Sequence, residues 1–98
     1  MPSKSYSKSG RVCRVTFKLP CEVGAETACL VGEFNGWSGE SHPMKRLKDG
    51  SFRASVSLAP GRAYRYRFLL DGARWENDWA ADGYVPNESG AEDSVVNV

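Results

Sequence analysis

The chain has 98 residues, with 13 Lys and Arg against 12 Asp and Glu, for a formal net charge of +1. That length suits one domain with one modest core, and the charge balance supplies no global attraction to nucleic acid or anionic lipid. Three cysteines without C-x-x-C spacing and a single histidine form no metal pattern, no motif implies a cofactor, and no run approaches the roughly 20 apolar residues of a membrane span.

Residues 1–10, rich in Ser and Lys and without the apolar run of a signal peptide, read as a flexible tail. That leaves one domain over residues 11–98, and reduced thiols in it point to the cytoplasm. Cys13, Val15, Phe17 and Leu19 then alternate with Arg14, Thr16 and Lys18, the pattern of a half-buried strand. A second strand, Ala28 to Phe34, contains Gly32, which predicts a bulge or a close backbone approach. It runs into Asn35-Gly36-Trp37-Ser38. An indole on turn residues is either a platform presented by a loop or a lid folded onto the core.

Met44 to Leu47 reads as a short strand, and Asp49-Gly50 as the turn of a tight hairpin. Phe52, Ala54, Val56 and Leu58 alternate with polar residues. Pro60-Gly61 carries type II turn chemistry. Tyr64, Tyr66, Phe68 and Leu70 form the next alternating set, and Asp71-Gly72 turns the chain toward Arg74, Trp75 and Glu76. Glu76 to Asp93 has no sustained period and predicts a long surface excursion pinned by Trp79, Tyr84 and Val85. Ser94 to Val98 reads as a closing strand. Short strands at regular spacing, with no helical period, predict an all-β sandwich.

Charge is distributed unevenly along the chain. Lys45, Arg46, Lys48, Arg53, Arg62, Arg65, Arg67 and Arg74 precede a segment whose only charges are Glu76, Asp78, Asp82, Glu88, Glu92 and Asp93. The acidic segment either packs near the basic sheet or forms a second solvated face. The lone His42 has no nucleophile context, and Glu33, Asp71, Glu76 and Asp78 show no pairing of the kind glycoside hydrolysis needs. The expectation is a non-catalytic protein. Tyr64-Arg65-Tyr66-Arg67-Phe68 interleaves aromatics with arginines, but period two sends them to opposite faces, which argues against nucleic-acid stacking. A neutral sugar fits better. Trp37 follows one strand, Trp75 follows the Asp71-Gly72 turn, and Arg67 lies on the outward face of the adjoining strand. Whether they converge depends on the strand order, but indoles with a few fixed polar groups match the C–H faces and hydroxyls of an oligosaccharide.

The ordered set Val31-Gly32-Glu33-Phe34-Asn35-Gly36-Trp37-Ser38, Pro60-Gly61, Tyr66-Arg67-Phe68-Leu69-Leu70-Asp71-Gly72 with Trp75, and Asp93-Ser94-Val95-Val96-Asn97-Val98 resembles the family 48 carbohydrate-binding module. That family includes the glycogen-binding domain of the AMP-activated protein kinase β subunit and the N-terminal early-set domains of isoamylases and branching enzymes. The resemblance implies an immunoglobulin-like sandwich that binds α-glucan, glycogen or maltooligosaccharide, with Trp37 and Trp75 stacking on glucose. It also implies that Arg67 donates in place of a Lys and that Asp93 accepts in place of an Asn. Ser89 and Ala91 replace a Leu and a Thr of the kinase-type site. These departures leave a second expectation open: a regulatory module that associates in trans with a glycogen-metabolising enzyme or kinase.

Overall fold

Period-two alternation becomes two antiparallel sheets in the computed structural model, which describes residues 2–98. The first sheet has the order β1 (Ser3–Tyr6), β2 (Cys13–Leu19), β5 (Phe52–Leu58), β4 (Lys45–Arg46). The second has β3 (Ala28–Gly32), β6 (Ala63–Leu70), β9 (Glu92–Asn97), β8 (Gly83–Pro86), with β7 (Arg74–Glu76) also pairing with β6. This is the all-β, immunoglobulin-like early-set sandwich expected from the sequence. Among the described residues, no helix is long and apolar enough to cross a membrane.

The inward residues of the two sheets meet in one core. Val15, Phe17, Leu30, Tyr66, Phe68, Leu70 and Val96 are completely buried. Phe17 meets Tyr66 edge to face with ring centroids 4.7 Å apart, a geometry worth roughly 0.5–1.5 kcal/mol beyond the buried area. The aromatics of β6 therefore belong to the core, while Arg65 and Arg67 project from the opposite face of the same strand. Pro60-Gly61 makes the predicted turn, with Gly61 at φ 88°. That turn takes the chain from β5 in one sheet to β6 in the other.

Two local expectations differ from the structure. Ser3–Tyr6, read as tail, is a strand paired with β2. Backbone pairing holds it, together with an ion pair from Lys4 Nζ to Asp82 at 2.8 Å and a hydrogen bond from Tyr6 Oη to the Val98 carbonyl at 2.9 Å. An edge strand held by long-range polar partners leaves no apolar period to read. Glu76 to Asp93 likewise is not only a surface excursion. It contributes β8, and its anchor is polar: Asp78 is 5% exposed, whereas Trp79 points outward.

Gly32 shows the close approach that its position predicts. A Cβ there would lie 2.7 Å from the Arg65 carbonyl oxygen and 2.8 Å from the Phe34 ring. Only a residue without a side chain lets β3 and the following turn sit this near β6.

Candidate functional site

The outer face of the second sheet has a discontinuity beside β6. Residues 63–66 of β6 pair with β9 on one edge, and residues 68–70 pair with β7 on that same edge. Arg67 lies between these two partners, on the outward face. Trp75 pairs opposite Leu69, two residues along the same face. Asp93 is in β9, one position beyond the Tyr66–Ser94 pair. Asn77 joins the two short partners: its Nδ2 donates to the Glu92 carbonyl at 2.8 Å, and its Oδ1 accepts from Ser94 N and Oγ at 3.1 and 2.8 Å.

Trp37 arrives from the other edge. After β3, a single 3-10 turn over Glu33–Asn35 reverses the chain. Asn35 organises it through every polar atom of its side chain. Oδ1 accepts from Gly32 N at 3.1 Å, and Nδ2 donates to the Leu30 carbonyl at 3.0 Å and to His42 Nδ1 at 2.9 Å. His42, which has no nucleophile context in the sequence, is thus an internal brace of the loop. Trp37 N donates to the Gly32 carbonyl at 2.9 Å. The backbone of Trp37 is left-handed, with φ 59°, a conformation that costs a bulky residue on the order of 1–3 kcal/mol. The ring is 41% exposed, so it is not a lid over the core.

Together Trp37, Arg67, Trp75 and Asp93 line one open concavity of about 290 Å³. All four residues singled out from the sequence converge there. The Arg67 guanidinium lies over the Trp75 ring, 5.6 Å from its centroid, within cation–π range. Its Nε is buried without a hydrogen-bond partner, which costs roughly 1–3 kcal/mol. Asp93 is 6% exposed. Its Oδ1 accepts from Asn87 Nδ2 at 3.1 Å, and its Oδ2 lies 3.8 Å from Arg65 Nη1. That ion pair is where the acidic segment meets the basic strand, one of the two outcomes that the charge distribution left open.

A second, more polar concavity of about 550 Å³ adjoins the first and shares Trp37 and Asp93 with it; Glu33, Arg65, Asn87, Glu88 and Ser89 complete its wall. Sequence reasoning did not assemble this extension. The signal for Arg65 was present, because it sits two residues before Arg67 and so faces the same way. Asn87 and Glu88 carry no periodic signal. Among the described residues, no three His, Cys, Asp or Glu side chains gather as a metal cage requires.

Known proteins resemble this chain over most of its length. The model of the family "Carbohydrate-binding module 48 (Isoamylase N-terminal domain)" matches residues 14–85. A 1,4-alpha-glucan branching enzyme of Deinococcus radiodurans is 43% identical over 61 residues, covering 61% of this chain and 8% of the enzyme. The chloroplastic/amyloplastic 1,4-alpha-glucan-branching enzyme of Oryza sativa subsp. japonica is 32% identical over 82 residues, covering 74% of this chain and 10% of the enzyme. A branching enzyme of Photobacterium profundum is 33% identical over 63 residues, 63% of this chain and 9% of that protein. The matched part of the chain thus spans no more than about a tenth of these relatives. With a family model covering most of its sandwich, including both indoles and Arg67, this chain belongs to the carbohydrate-binding module 48 family.

Proposed function

We propose that this module binds α-1,4-glucan without catalysing its breakdown, on the outer face of the second sheet. The observation that carries this reading is the convergence of two exposed indoles and one guanidinium on a single concavity. Trp37 and Trp75 stack against the C–H faces of successive glucosyl units. Arg67, held by the Trp75 ring, donates to sugar hydroxyls. Asp93 accepts from Asn87 Nδ2 at Oδ1, and its Oδ2 faces Arg65 at 3.8 Å, beyond hydrogen-bond length, so that oxygen can still accept from a sugar hydroxyl. The adjoining concavity extends the path for a longer chain past Trp37 toward Arg65 and Ser89. The strained backbone at Trp37 and the unpaired Arg67 Nε support the reading, since both are local costs of holding side chains ready. The family and the named activity of the branching enzymes agree with an α-glucan ligand.

The test is retention on glycogen and binding of maltoheptaose by the chain and by Trp37→Ala and Trp75→Ala. Loss in both variants, with the fold preserved by circular dichroism, is the expected result. Undiminished retention in either variant would remove that ring from the site. No retention of the parent chain would leave the regulatory reading, in which the sandwich associates with a glycogen-metabolising enzyme.

A further inference from the structure

The third tryptophan takes no part in the site just described. Trp79 is 54% exposed, more than any other large apolar side chain of the described residues. It borders a concavity of about 580 Å³ that also includes Leu47, Lys18, Arg53, Asp49 and Ser51 and shares no lining residue with the first. Lys18 and Arg53 pair across β2 and β5 of the first sheet, while Asp78, Trp79 and Ala80 of the wall come from the segment between β7 and β8, so this concavity lies where that segment meets the first sheet, away from the first site.

The segment that carries Trp79 is held from several sides. The Asp78 carboxylate accepts from Tyr66 Oη at 2.7 Å and from Ala80 N at 3.0 Å. Asp78 N donates to Ser94 Oγ at 2.9 Å, and Tyr84 Oη donates to the Asp78 carbonyl. The Trp79 indole N–H reaches Glu76 Oε1 at 3.3 Å. A buried network of this kind fixes the backbone on both sides of an exposed ring. Burial and the Asp78 bond push the Tyr66 phenol far above its ordinary pKa, so the network keeps its proton throughout the physiological range. The ion pairs of the described residues are Lys4–Asp82 and Arg65–Asp93. Lys18 and Arg53 are therefore without carboxylate partners, and their donors are available.

We infer that this concavity is a second α-glucan site, with Trp79 as its stacking platform, Leu47 beside it, and Lys18 and Arg53 as hydroxyl donors. The inference rests on the glucan reading of the first site, because it identifies the ligand by the same combination of fixed indole and cationic donor. A glucan repeats one unit many times. A chain or branched particle engaged at one site presents identical units to the other at high effective concentration, so a weak second site adds avidity without new chemistry.

The experiment titrates ¹⁵N-labelled full chain with maltoheptaose and follows the three indole N–H signals, in the parent and in Trp37→Ala and Trp79→Ala. Two independent saturations are expected. Trp79 still shifts in Trp37→Ala, Trp37 and Trp75 still shift in Trp79→Ala, and Trp79→Ala lowers retention on glycogen at least tenfold. Shifts of Trp37 and Trp75 with a static Trp79 would overturn this inference and leave the first site standing. A Trp79 shift that vanishes in Trp37→Ala would overturn it too, by marking a transmitted effect. Three static indoles would overturn both readings.

Discussion

Replacing Trp37 by Ala and by Gly separates what its ring does from what its backbone costs. The ring is 41% exposed, so about three-fifths of an indole is covered, roughly 120 Å² or about 3 kcal/mol as an upper bound. Both variants lose that burial, and it cancels between them. What remains is φ 59°. Left-handed backbone costs a residue with a Cβ about 1 kcal/mol or more and costs Gly almost nothing. Trp37→Gly should therefore be more stable than Trp37→Ala by about 1 kcal/mol, the reverse of the usual order within regular structure. In a domain of this size the difference is roughly 4–8 °C in Tm, readable by urea titration and thermal melting. Both variants should lose about 2 kcal/mol of glucan binding, the hot-spot scale for a Trp, or roughly thirtyfold in Kd. If Trp37→Ala equals or exceeds Trp37→Gly in stability, the backbone strain assigned to this loop is wrong.

The close contact at Gly32 gives a second expectation. A methyl group 2.7 Å from the Arg65 carbonyl oxygen must displace backbone, so Gly32→Ala should cost about 1–3 kcal/mol; an unchanged urea midpoint would show that β3 and β6 part freely. The Asp71 turn should make stability depend on acid. Its Oδ1 accepts from Thr27 N and Glu26 N, each at 2.9 Å, and these bonds hold the carboxyl below its usual range. A lowered folded pKa stabilises above about pH 4 and is lost as pH falls through the folded value. Asp71→Asn keeps an acceptor oxygen but does not titrate, so its Tm should fall less between pH 5 and pH 3 than that of the parent. Equal falls would contradict this account.

The strands of the core and the faces of β6 were legible because side-chain period is a local property. Alternation at Cys13–Leu19 and Tyr64–Leu70 says which residues turn inward, and turn chemistry at Pro60-Gly61 and Asp71-Gly72 says where strands end. One tryptophan after a strand, a second after the Asp71-Gly72 turn and an outward Arg67 on the adjoining strand were enough to nominate a sugar site, and the resemblance added Asp93. Tertiary structure alone decided that these residues meet. Their meeting depends on β9 and β7 sharing one edge of β6 and leaving Arg67 at the break, with Asn77 joining the two. It equally decided that Ser3–Tyr6 closes a sheet edge and that Asp78 is buried while its neighbour Trp79 faces solvent. Such outcomes rest on hydrogen bonds and ion pairs between residues far apart in the chain. No pattern of neighbouring side chains encodes that pairing, because it is fixed only when the two sheets close over their common core.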